Sequence, residues 1–246
     1  MDTKTKEIVD VFIDIIYPQN ISCIICNKPI NKSNTYSLCR ECFENIEFIQ
    51  DGCLKCGKKE TRRTLEEYEF GECEYCKGYT YYFDRAISCI DYSKISKKMI
   101  LNFKYKDKTY MSRYIADIMS QKIQLENIKY DYILYVPLHK KRLKERGFNQ
   151  SQKIAKYFSE KVNIECLDII KRTKNTKKLY SLIRDDRKKE LINAFEINDS
   201  TLLENKNVLI IDDILTTGST VNEISKRLKV IGVDKIYVFT FLSKCN

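Results

Sequence analysis

The chain has 246 residues, 43% hydrophobic and 32% charged, and 44 Lys plus Arg against 34 Asp plus Glu give a formal net charge of +10. That balance is enough for a packed core in one large domain or two smaller ones. No stretch reaches the roughly 20 consecutive apolar residues of a membrane-spanning helix, so a transmembrane protein is not expected.

The most apolar N-terminal stretch, residues 8–16, is interrupted by Asp10 and Asp14 and has no small-residue cleavage site after it. It predicts a short amphipathic helix and not a signal peptide, which places the protein in the cytoplasm. Basic charge is concentrated in two segments. Residues 140–146 hold five Lys or Arg and residues 171–189 hold nine. A polyanion, a polyphosphate ligand or a solvated lysine-rich surface would each account for that.

Of the 11 cysteines, eight form four Cys-x-x-Cys pairs: Cys23/Cys26, Cys39/Cys42, Cys53/Cys56 and Cys73/Cys76. Pairs this close are poorly placed to bridge each other in a disulfide and well placed to give two sulfurs to one tetrahedral metal. Each half of the segment therefore reads as a zinc ribbon, giving two structural Zn²⁺ ions. Pairing in sequence order is the simpler arrangement, and an interleaved cross-brace or an iron–sulfur cluster uses the same ligands. Few aliphatic residues lie among the cysteines, so metal should supply much of the local folding free energy. Cys89, Cys166 and Cys245 are scattered and read as ordinary small residues.

Residues 77–83 form a joint, dividing the chain into 1–82 (helix and double ribbon) and 83–246. Beyond it the pattern alternates between strand and helix. Residues 84–92 read as a strand, and a helix follows through Met99, Ile100 and Phe103. A second helix over 109–123 has Tyr110, Tyr114, Ile118 and Met119 on one face. The strand at 131–136 ends at Pro137, and a basic loop with Lys140, Lys141 and Arg142 follows. A loop at the carboxyl end of a parallel strand lies where open α/β sheets bind ligands, and this one could neutralise pyrophosphate. His139 is the only histidine, and nothing nearby in sequence orients it as a base.

Residues 150–162 predict a helix, and Leu167, Ile169 and Ile170 a short strand. The polar segment 171–189 is a long connection of the kind that closes over a ligand. Val208–Ile211 is a strand buried on both faces. Asp212 and Asp213 follow, then Thr216, Thr217, Gly218, Ser219 and Thr220, and then a helix from Val221 with Val221, Ile224 and Leu228 inward. A last strand covers 236–242. Backbone N–H groups of a loop entering a helix bind anions, and the hydroxyls add donors. Carboxylates accept hydrogen bonds from hydroxyls and repel phosphate. The stretch therefore suits a ligand with a phosphate at one end and sugar hydroxyls at the other.

Residues 208–220 resemble the phosphoribosyl pyrophosphate (PRPP) motif of type I phosphoribosyltransferases at every position. Together with the cysteine pairs and the Val136-Pro137-Leu138-His139 to Gly147-Phe148-Asn149-Gln150 block, they resemble the ComF family of competence-associated, phosphoribosyltransferase-like proteins. Further matches are Phe83-Asp84, Phe103-Lys104-Tyr105-Lys106, Thr176, Arg184, Arg187 and Ala194-Phe195. The resemblance implies an α/β parallel sheet flanked by helices behind a small zinc-ribbon domain. It implies that Asp212 and Asp213 hold the ribose hydroxyls and Thr216–Thr220 the 5′-phosphate of PRPP. In an enzyme, Mg²⁺ and the Lys140–Arg142 segment would stabilise the departing pyrophosphate. It also implies a role in natural transformation, with single-stranded DNA and DNA-uptake proteins as partners at the cytoplasmic side of the membrane. Two expectations follow: a PRPP-binding accessory of DNA uptake, or an active phosphoribosyltransferase with an unknown acceptor.

Overall fold

The computed structural model describes residues 21–59, 73–104, 108–176 and 184–244. The helix expected over 8–16 and the Tyr105 and Lys106 positions lie outside them. Four parallel strands make the main sheet, in the order β1 (Arg85–Asp91), β6 (Ile236–Ser243), β5 (Val208–Leu215) and β2 (Tyr132–Tyr135). Alternate side chains of these strands go to opposite faces, and both faces are covered. Leu209, Ile211, Phe239 and Phe241 share one apolar cluster with α2 (Lys94–Lys104), α3 (Met111–Gln124) and α5 (Gln150–Val162). Val208, Ile210, Ile236 and Val238 share the other with α7 (Ser219–Val230), Leu191, Phe195 and Leu203. Burial on two sides is why these strands read as unbroken apolar runs. No described helix is long and apolar enough to cross a membrane.

The strand expected at 167–170 divides in two. Residues 165–167 run parallel to β2, with Ile133 N donating to Glu165 O and Leu167 N to Ile133 O, both at 2.9 Å. The chain then turns away, and β3 (Ile170–Arg172) pairs antiparallel with β4 (Phe195–Ile197) outside the main sheet. The basic segment after Pro137 is a helix, α4 (Lys140–Arg146), where a loop is expected. His139 accounts for this: its side chain accepts from Lys141 N as an N-cap, and Gly147 ends the helix at φ 79°. The histidine thus has a structural task.

The cysteine segment packs onto the free edge of β1. Ile49 N donates to Cys89 O and Asp91 N to Glu47 O at 2.9 Å, and Ala86 N donates to Lys55 O at 3.0 Å. Gly57, at φ +66°, makes the approach possible, since a Cβ there would sit 2.6 Å from the Ala86 carbonyl oxygen.

Candidate ligand site and metal clusters

The eight paired cysteines gather into two groups in sequence order. Cys23, Cys26, Cys39 and Cys42 form one; Cys53, Cys56, Cys73 and Cys76 form the other, with each group's sulfurs within 4.8 Å of one another. Cys39 begins the short helix α1 (Arg40–Glu44), whose first turn brings Cys42 back to the same point. Close sulfur pairs lie at 3.6 Å (Cys26–Cys39), 3.7 Å (Cys53–Cys76) and 3.5 Å (Cys56–Cys73). These are far beyond a disulfide bond of about 2.05 Å. They approach the roughly 3.8 Å edge of a tetrahedron with Zn–S bonds of about 2.3 Å. Backbone N–H groups also point at the sulfurs, Cys73 N to Cys76 Sγ at 3.2 Å and Cys42 N to Cys39 Sγ at 3.4 Å. Such contacts stabilise thiolates around a metal. The donor set fits two structural zinc ions.

Asp212 and Asp213 lie inside β5, which continues through Leu215 because β6 pairs with it as far as Ser243. On the other side β2 stops opposite Ile211, so the acid pair has no strand neighbour there. α5 fills part of that gap. Asn149 caps the helix by accepting from Ser151 N at 3.1 Å and donates to Val136 O at 3.0 Å. Ser151 is thereby placed to donate to Asp212 Oδ1 at 2.8 Å, and Asp213 N donates to the same oxygen at 2.9 Å. Burial, with the charge of Asp213 beside it, pushes the Asp212 carboxyl up to about 7. Asp213 pairs with Lys104 Nζ at 2.7 Å. Two adjacent carboxyls, one compensated and one holding its proton near neutrality, can receive neighbouring hydroxyls without gathering two full negative charges.

Past Leu215 the chain forms the small-residue loop and enters α7. Gly218 takes φ 74° as the residue preceding the helix, and the helix has no side-chain cap at that end. Ser219 N donates to Thr217 Oγ1 at 3.4 Å, which leaves the other first-turn N–H groups for an anion. Thr217 Oγ1 and Ser219 Oγ lie 2.8 Å apart, and Arg187 Nη1 on α6 (Arg184–Leu191) donates to Thr216 Oγ1 at 3.1 Å.

A buried guanidinium, Arg172, lies within electrostatic reach of Asp212. Arg172 is 8% exposed, its Nε has no hydrogen-bond partner, and its cation lies over the Phe195 ring at 5.4 Å. It donates to Thr176 Oγ1, while Arg142 Nη2 donates to Thr176 O at 2.8 Å. Burial, followed by the like charge of Arg142, lowers the Arg172 guanidinium to about 10, and Asp212 opposes the shift. Two converging guanidiniums suit a polyphosphate. Of the three basic residues expected here, Arg142 alone turns inward; Lys140 and Lys141 are exposed on α4. The sequence singles out neither Ser151 nor Arg172 as a site residue, and Lys104 enters only as part of the Phe103–Lys106 match. Arg172 leaves one trace: it shares the inward face of β3 with Ile170, a position where charge is unusual.

Fold and site together define a phosphoribosyltransferase-like protein preceded by cysteine clusters. A family model described as a phosphoribosyl transferase domain matches residues 111–245, and one described as a double zinc ribbon domain matches residues 12–79. The chain belongs to the phosphoribosyl transferase family and, within it, to the ComF group. Competence protein F of Haemophilus influenzae is 29% identical over 229 residues, covering 89% of this chain and 96% of that protein. Competence protein ComFC of Streptococcus pneumoniae is 24% identical over 234 residues, 90% and 100% of the two chains. DNA utilization protein YhgH of Escherichia coli K12 is 26% identical over 227 residues, 88% and 94% of the two. Among solved structures, glutamine PRPP amidotransferase from B. subtilis overlaps 52% of this chain and 25% of its own, with a TM-score of 0.37 and 16% identity. A similarity of that size does not speak to function.

Proposed function

We propose that this protein binds PRPP with Mg²⁺ and takes part in handling incoming single-stranded DNA. The observation that carries the ligand is the continuity of one strand, loop and helix. It sets hydroxyl-accepting carboxyls (Asp212, Asp213) beside an uncapped helix entrance (Thr216–Thr220). Arg142 and Arg172 would take the pyrophosphate, and Mg²⁺ would arrive held chiefly by the ligand's own phosphates. Two zinc ions in the cysteine clusters would hold the ribbon part of 1–82 folded against the sheet of 83–246. Support for the DNA role comes from the near full-length match to proteins named for competence and DNA utilization, and from the exposed Lys140 and Lys141. The protein would work in the cytoplasm, free or against the inner face of the membrane, beside DNA-uptake proteins.

A second reading, an active phosphoribosyltransferase, is favoured by the orphaned Nε of Arg172. A buried cation with a spare donor suits the charge that develops when pyrophosphate leaves. Thermal unfolding with PRPP and Mg²⁺ tests the shared premise. At 100-fold excess over Kd the wild type should gain about 5–10 °C, and Asp212→Asn with Asp213→Asn should abolish the gain. A wild type that does not shift removes PRPP from the account. Pyrophosphate release with any of a panel of bases would favour the enzyme. Salt-sensitive binding of a single-stranded oligonucleotide, weakened by Lys140→Ala with Lys141→Ala, would favour the accessory role.

A further inference from the structure

The geometry points to Tyr81 as a positioning residue that couples the second cysteine cluster to the phosphate loop, an inference that rests on reading residues 216–220 as a phosphate site. Tyr81 packs against the Cys53, Cys56, Cys73 and Cys76 cluster and also against the apolar cluster that contains Leu215 and Val221. Its ring stacks on Phe83, with centroids 4.6 Å apart. The ring edge lies over Gly218: a Cβ built on that glycine would be 3.2 Å from Tyr81 Cε1. The left-handed turn at φ +74° that opens the helix entrance is thus backed directly by this aromatic side chain.

Asn222, on the first turn of α7, fixes Tyr81 from both sides. Its Oδ1 accepts from Tyr82 N at 2.6 Å, and its Nδ2 donates to Thr80 O at 3.3 Å. The peptide groups flanking Tyr81 are therefore tied to the same helix whose N-terminus would receive the phosphate. Movement of the second cluster must carry Tyr81 with it, and movement of Tyr81 must change the support under Gly218.

The first cluster is placed differently. Cys23 and Cys42 pack with Ile87, Met99 and Phe103, in the apolar cluster on the opposite face of the sheet. Metal at the second cluster should therefore favour anion binding at the loop, and metal at the first should not. By linkage, an anion at the loop must hold metal in the second cluster equally strongly.

Two measurements on the full chain decide this. In ligand-free, zinc-loaded protein, Tyr81→Ala should raise amide hydrogen exchange over residues 216–222 by about tenfold or more. Exchange in β6 should not change, two zinc ions per chain should remain, and Tyr81→Phe should behave as wild type. Unchanged exchange in the loop, or an equal rise across β6, overturns the proposal. With PRPP and Mg²⁺ added, Tyr81→Ala should bind at least about tenfold more weakly, while a chelator should draw zinc from Cys53–Cys76 more slowly in the wild type. A wild type that binds PRPP, with Tyr81→Ala of equal affinity or zinc release unaffected by ligand, also overturns it. A wild type that does not bind PRPP refutes the ligand assignment, and the exchange measurement then decides the role of Tyr81.

Discussion

Asp212 carries a conflict between stability and use. Its carboxyl titrates near 7 in the folded protein against a reference of 3.8. The folded state therefore holds that proton longer than the unfolded chain does. The stability so gained is complete below about pH 4 and is lost as pH rises towards 7. Asn at this position cannot ionise, and its side-chain oxygen can still accept from Ser151 and Asp213 N. Asp212→Asn should therefore stabilise the ligand-free protein at pH 8 by about 1–2 kcal/mol, below the full linkage value because the residue as a whole is only partly buried. At pH 4 the two proteins should unfold alike. Denaturant melts at both pH values check this, and an equal gain at both would show that charge is not the cause. The acid pair and its loop were legible in the chain because they are consecutive. Ser151 was not, because the contact that makes it matter reaches across 61 residues and exists only once α5 lies beside β5.

Elements show the same division between local and distant causes. Apolar periodicity was sufficient for α2, α3 and α5, whose inward residues recur at helical spacing whatever they pack against. The end of β5 was not legible. Local sequence suggests a stop at Ile211, and the strand runs to Leu215 because its partner β6 is long and β2 is short. α4 was hidden for another reason: it has no buried residue to set a period, and only its two caps define it. Capping also governs the site through α5. Asn149 is buried and serves Ser151 N and Val136 O at once. Asn149→Ala should lose the cap and leave a buried carbonyl unpaired, a cost of about 2–3 kcal/mol. For a chain of this size that is a fall in Tm of about 4–12 °C. Asn149→Ser should keep the cap without placing a charge against Val136 O, and so recover part of the loss. If Asn149→Ala melts with the wild type, the helix start is held by packing alone.

At the scale of the whole molecule, the cysteine segment does more than append two metals to a sheet. β1 is an edge strand, and the hydrogen bonds from Ile49, and to Glu47 and Lys55, occupy the side that β6 leaves open. An unpaired edge strand is a template for other chains. The second cysteine cluster, with the knuckle that reaches β1 through Gly57, has little apolar core beyond its own cysteines and depends chiefly on metal, whereas the first is anchored in the core of the sheet through Ile24, Ile25, Leu38 and Ile46. Removing zinc should therefore both unfold the ribbon and uncover β1. With a strong chelator, Tm should fall by more than about 10 °C, given that structural zinc supplies on the order of 10 kcal/mol in small cysteine sites. Light scattering should rise in the same samples below the new Tm, because the sheet survives with its edge exposed. Zinc restored before aggregation should return both signals, and elemental analysis of the intact protein should give two zinc per chain. A chelated protein that loses stability yet stays monodisperse would mean that β1 is protected by something other than the ribbon. One that keeps its Tm would mean that the thiols hold the clusters without metal.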